Sequence, residues 1–179
     1  MVENSLGRMW VEGHPDDELK SKWKYYLDEA KQEEAVQQEL DKIRSEYATL
    51  KQEDIKLIAP CMGSGNIMVY AFDVFMQIYE NAGWSQRDAA QSIIQNNIYG
   101  LDIDDRAAQL SYFAVLMKAR QYDRRILTRG IEPNVYAVQE SNGINRGQLK
   151  YFGTGLTDTE KNVAVSQMEG LLTTLNDAK

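Results

Sequence analysis

The stretch IKLIAPCMGSGNIMVYAFDVF, residues 55–75, decides the fold. Ile55, Leu57 and Ile58 form a short apolar stretch that ends at Pro60, and a Gly63-Ser64-Gly65 turn follows. Behind the turn, Ile67, Ala71, Val74 and Ile78 recur at steps of three and four. A short apolar stretch giving way to that period reads as a buried strand, a glycine turn and a helix. Glycine has no Cβ and accepts a positive φ, so such a turn lets the backbone pass close to a nucleotide-like ligand.

Three ligand classes compete for the turn. A phosphate-binding P-loop needs Lys and then Ser or Thr after its last glycine. Asn66 and Ile67 stand there, which excludes it. A dinucleotide fingerprint wants a third glycine for close helix–strand packing, and Met68 occupies that position. S-adenosylmethionine remains. It has no pyrophosphate to set against the helix N-terminus, and it needs the glycines only for close backbone approach.

The next strand separates a ligand site from a plain turn. NIYGLDID, residues 97–104, carries Asp102 where the strand leaves the core, after Ile98, Tyr99 and Leu101. A carboxylate at that point can accept both hydroxyl protons of a ribose. Asp104 and Asp105 suit the start of the next helix. The separation of Gly65 from Asp102 exceeds the roughly 20 residues of a simple fingerprint, which matches a helix inserted over 86–95.

Working outward, Leu19, Trp23, Leu27 and Ala30, then Val36, Leu40, Ile43, Tyr47 and Leu50, predict two helices in the first fifty residues. Pro15 with Asp16, Asp17 and Glu18 suits a helix start. His14, the only histidine, reads as structural or exposed. Gly83 stops the helix over 66–80, and SQRD at 85–88 opens the next as a capping box. A helix over 105–124 is expected to turn Leu110, Ala114 and Met117 inward. NVYAVQ at 134–139 is a third strand, and TDTE at 157–160 caps a last helix bearing Val163, Met168, Leu171, Leu172 and Leu175. Strands alternating with helices predict a parallel sheet. Three strands make about half of a doubly wound domain. The expected fold class is therefore α/β, a partial Rossmann-like parallel sheet behind a helical N-terminal segment. The expected divisions are a helical segment at 1–52, an incomplete cofactor-binding core at 53–150 and a C-terminal helix at 151–179.

The 179 residues suffice for one domain with a core. No apolar run approaches the roughly 20 residues of a membrane span, so no membrane partner is expected. MVENSLGRMWVEG is not a secretory signal. Cys61, the single cysteine, fits a reducing cytoplasm. The net charge of −7 argues against a dedicated DNA-gripping surface. The one basic cluster, KARQYDRRILTR at 118–129, suits a helix C-terminus.

APCMGSGNIMVYAFDV together with NNIYGLDIDDRAAQLSYFAVLMKAR resembles the S-adenosylmethionine-binding region of adenine-specific DNA methyltransferases. The likeness is to the large methyltransferase of BREX-type phage-exclusion systems, related to restriction–modification enzymes. SLGRMWVEGHP resembles that family's segment ahead of the loop, and the likeness runs over about residues 4–150. It implies methyl transfer to the exocyclic amine of adenine in duplex DNA, with the base flipped out of the stack. It places Pro60, Gly63, Ser64 and Gly65 on the cofactor loop, Asp102 on the ribose and Ile103 beside the cofactor's adenine ring. Glu140 is a further candidate contact.

Two departures from the family stand out. Its loop usually reads Asp-Pro-x-x-Gly-Ser-Gly, and Ala59 replaces the acid that helps hold the ligand's amine. Its Asn-Pro-Pro-Tyr-type motif is missing, since the chain has three prolines and none are adjacent. The chain is thus expected to be a cofactor-binding fragment, inactive alone. Its partners would be duplex DNA through other regions, the remaining domains of a parent enzyme and other phage-defence proteins. The alternatives are a degenerate, non-catalytic interaction module and a methyltransferase acting on protein or RNA.

Overall fold

The computed structural model describes residues 1–30, 32–139, 145–152 and 155–177. The chain divides into two compact units, Met1–Val138 and Gln139–Lys179.

The first unit opens with three helices, α1 (Leu6–Gly13), α2 (Asp17–Ser21) and α3 (Glu34–Tyr47), where the periodicity predicts two. Asp16 caps α2 by accepting from the Leu19 backbone N–H at 2.8 Å. The predicted helix through Ala30 ends at Ser21 because side chains at the N-terminus claim the backbone beyond it. The buried Glu3 carboxylate accepts the Tyr25 N–H at 2.6 Å and also the Tyr70 hydroxyl. Asn4 accepts from the Leu27 N–H at 2.8 Å and donates to the Tyr25 carbonyl at 2.6 Å. Backbone groups bonded this way are lost to a helical ladder. Leu19 and Trp23 are buried as expected, but Leu27 is exposed. His14 stacks on Trp10 with ring centroids 4.0 Å apart, a packing role.

The sheet has three parallel strands in the order β1-β2-β3: β1 (Leu57–Ala59), β2 (Ile98–Asp102) and β3 (Asn134–Ala137). Helices α4 (Asn66–Asn81) and α5 (Gln86–Ser92) connect the first two strands, and α6 (Asp105–Tyr122) connects the second pair. This is the expected mixed α/β architecture with helices ahead of a small parallel sheet.

Helix α4 is the centre of the core. Met68, Ala71, Phe72, Val74, Phe75, Met76, Ile78 and Tyr79 are all buried on it. A helix apolar over most of its circumference must be covered on most sides, and α1, α2, α5, α6, β1 and β2 all pack against it. Ile67, expected inward, is exposed at its N-terminus. Gly83 has φ +83°, which the expected left-handed helix stop requires. Ser85 caps α5 by accepting from the Asp88 N–H at 3.2 Å.

Helix α5 runs on into a π-helical turn, Ile93–Asn97, which aims the fully buried Asn97 at the core. Its amide donates to the carbonyls of Gln52 and Ile55, both at 2.7 Å, and its oxygen accepts from the Tyr79 hydroxyl at 2.9 Å. Tyr79 also bonds Ser92 at 2.9 Å. Burial pushes the Tyr79 phenol up to about 12. This network fixes the segment leading into β1 to the start of β2.

Helix α6 turns a different face inward from the one its bulky residues predict. Ala108, Ser111, Val115 and Ala119 are buried, whereas Leu110 is exposed and Ala114 and Met117 are half-buried. Small side chains face inward where the helix lies close to the glycine loop. In the second unit a short 3-10 segment, Arg146–Tyr151, packs against α7 (Asp158–Asp177). The Thr157 N–H donates to Glu160 at 3.1 Å, completing the predicted capping box. Leu172 is buried and Val163 and Leu171 are exposed.

Candidate functional site

β1 ends at Ala59, which lies opposite Gly100 of β2 and is buried. The Met62 N–H then donates to the Leu101 carbonyl at 3.0 Å, carrying the chain along β2 past the strand's end. Gly63 (φ +54°) and Gly65 (φ +81°) turn it back, closed by the Gly65 N–H on the Met62 carbonyl at 2.9 Å. Both φ values are ones that glycine alone adopts without strain. Helix α4 starts from Gly65, and no side chain caps it.

Asp102, the last residue of β2, meets this turn. Its Oδ2 accepts the Gly63 N–H at 2.8 Å, and its Oδ1 accepts the Asp104 N–H at 3.0 Å. These bonds, the Asp104 one first, hold its carboxyl below the ordinary value of 3.8. An ionised carboxylate offers about four acceptor positions, so acceptor capacity remains. Ile103 follows, 88% exposed. Pro60, Cys61, Ser64 and Asn66 are also exposed. The predicted residues Pro60, Gly63, Ser64, Gly65, Asp102 and Ile103 thus lie at the C-terminal ends of β1 and β2. Glu140 lies outside the described residues. Asp104 caps α6 through the Arg106 N–H at 2.8 Å, as its position predicts.

Three contributors escaped the sequence reading. A Cβ on Gly100 would stand 2.5 Å from the Met62 sulfur and 2.7 Å from the Met68 sulfur, so this glycine lets the loop lie down on β2. Met62 is the buried plug beneath the loop. Ser111 of α6, fully buried, donates from its hydroxyl to the Gly63 carbonyl at 2.8 Å. The only available signal was the glycine inside a strand, which marks close approach of another chain segment.

Charge around the loop is sparse and acidic. Residues 59–67 carry none, and residues 98–105 carry only Asp102, Asp104 and Asp105. A cavity of about 330 Å³ lies alongside, lined by Asp105, Ala108, Gln109, Tyr112, Val135 and Ala137. Ala137 is the register neighbour of Asp102. The basic cluster is partly spent on structure. Lys118 pairs with Asp73 at 2.6 Å and Arg129 with the buried Asp123 at 2.7 Å.

No known protein-family model matches the chain. Among curated proteins, it is 50% identical over 141 residues to adenine-specific methyltransferase BrxX of Escherichia coli O9:H4 (strain HS). It is 44% identical over 147 residues to adenine-specific methyltransferase PglX of Lacticaseibacillus casei (strain Zhang). The alignments cover 79% and 77% of this chain but 12% of each relative. Over most of its length the chain is therefore homologous to the adenine-specific methyltransferases BrxX and PglX, and it spans about 12% of their length.

Proposed function

We propose that the chain carries the S-adenosylmethionine-binding part of an adenine-specific DNA methyltransferase. The observation that carries the reading is the Gly63–Asp102 hydrogen bond, which joins the glycine turn to the acid in a chain half identical to such an enzyme. The bare backbone of Gly63, Ser64 and Gly65, with Pro60 before it, would run along the methionine part of the ligand. The remaining acceptor capacity of Asp102 would take the ribose hydroxyls, and exposed Ile103 would cover one face of the adenine ring. When bound, the cofactor supplies a methyl group on a sulfonium sulfur. In this reading the chain's own work is to bind and orient. The exocyclic amine of a flipped adenine would be held by residues outside this chain, which contains no Asn-Pro-Pro-Tyr run.

In the same reading, residues 53–150 are the cofactor core, 1–52 a helical preface and 151–179 a following helix. Duplex DNA would be gripped mainly by other regions of the relatives' length, consistent with a net charge of −7. The setting would be cytoplasmic phage defence or restriction–modification. Among the described residues no helix is long and apolar enough to cross a membrane.

Ala59 weakens the ligand's amine end. Losing a charge-assisted contact there costs about 1.5–3 kcal/mol, roughly ten- to a hundred-fold in affinity. Calorimetry with S-adenosylmethionine on this chain and on Ala59→Asp is the test. Weak binding improved by the aspartate is expected. Equal, tight binding by both removes Ala59 from the account, and no binding by either favours a non-catalytic interaction module.

A further inference from the structure

We infer that Ser111 is a positioning residue for the glycine loop, and that with Asp102 it clamps the loop at Gly63 from both sides. The two bonds act on opposite groups of one residue. Asp102 takes the Gly63 N–H at 2.8 Å, and Ser111 gives its hydroxyl proton to the Gly63 carbonyl at 2.8 Å. Gly63 has φ +54°, and a Cβ there would meet nothing within 4 Å, so no side-chain packing is required at this residue. Hydrogen bonds at both ends hold its backbone.

Ser111 also dictates what stands two residues on. A Cβ on Gly65 would lie 2.8 Å from the Ser111 hydroxyl oxygen and 3.2 Å from its Cα and Cβ. The second glycine of the turn is therefore required twice, by its φ of +81° and by the backbone of α6. Serine is also the residue that fits position 111. It is fully buried between Ala108 and Val115 on the inward face of α6. A larger side chain would displace Gly65, and a buried hydroxyl needs a partner, which the Gly63 carbonyl provides.

The clamp couples loop to acid. Asp102 keeps acceptor capacity for a diol while it holds Gly63 and Asp104. Ser111 touches none of the atoms proposed to meet the ligand, yet it sets where the Gly63 N–H points and hence how Asp102 is aimed. The ligand part of this inference rests on the reading of the site as an S-adenosylmethionine site. The clamp itself does not.

The experiment uses the whole 179-residue chain, wild type and Ser111→Ala, and is arranged so that the two failures look different. In the free protein, the Gly63 and Gly65 amides of the variant should exchange at least about tenfold faster, while Phe72 and Val115 amides in the same sample stay unchanged. The Asp102 carboxyl, followed by carbon NMR, should titrate higher in the variant because it loses the Gly63 bond. A merely space-filling serine would move neither. Unchanged loop exchange and an unchanged Asp102 titration overturn the clamp, and so does faster exchange spread evenly over Phe72 and Val115. Titration with S-adenosylmethionine then tests the ligand link, with affinity expected to fall about tenfold in Ser111→Ala. Equal affinity in both proteins overturns the positioning role. A wild-type chain that takes no S-adenosylmethionine refutes the site reading while the exchange result still decides the clamp.

Discussion

Strand β2 has a polar hub at each end, and the two are built to opposite ends. At its start, Asn97 is fully buried and bonded to Tyr79, Gln52 and Ile55. Every position on that side chain that faces the core is taken by protein. At the other end, Asp102 is partly exposed and spends one bond per oxygen on backbone, with acceptor capacity left over. A closed hub has nothing to offer a ligand and fixes the fold. An open one holds its own loop and can still accept. Four residues of one strand thus separate a structural device from a candidate binding device.

That contrast can be broken by substitution. Asn97→Ala should cost the most, about 3 kcal/mol of unfolding free energy, because it strips the amide from the Gln52 and Ile55 carbonyls and leaves the buried Tyr79 phenol with Ser92 alone. Urea denaturation measures it, and a loss below about 1 kcal/mol would mean that water replaces the amide. Asp102→Asn comes next and should act on the ligand instead. An amide nitrogen cannot accept, so one of the Gly63 and Asp104 N–H groups loses its bond. Affinity for S-adenosylmethionine should fall roughly ten- to a hundred-fold, while the urea midpoint moves far less than for Asn97→Ala.

Acid sharpens the same distinction, since only one hub titrates. The Asp102 carboxyl is lowered from 3.8 in the folded chain by its bonds to the Asp104 and Gly63 N–H groups. Its contribution is therefore complete above the ordinary value and disappears as the pH falls through the lowered one. Corrected for intrinsic rates, Gly63 amide exchange should accelerate in that window while exchange around Asn97 does not. The smallest effect is expected at Ile58→Lys. Ile58 is exposed on β1, outside both hubs, and the change should stay within about 0.5 kcal/mol.

The same two hubs show what the sequence made legible. Asp102 was readable because its chemistry depends on chain order: an acid at the end of the strand that follows a glycine loop. Asn97 was not, because its role depends on a π-helical turn that delays the strand and swings the side chain inward. Period-based reading assumes α-helical spacing and cannot register that step. Helix α6 failed for a different reason. Hydrophobic pattern gives weight to bulk, so it chose Leu110 and Met117, whereas close approach to the loop selects Ala108, Ser111 and Ala119. The N-terminal helix prediction overran because Glu3 and Asn4 act on Tyr25 and Leu27 from more than twenty residues away. The strands and capped starts of α2 and α5 were local in cause and therefore visible.

One feature of the loop has a practical side. Cys61 is exposed beside Met62 and Gly63, and it is the only thiol in the chain. A sulfhydryl-directed dye would therefore attach at one place without engineering, on the segment whose motion is in question. Its emission would report changes in the loop's surroundings, such as ligand arrival, in a protein that needs no cysteine removed first.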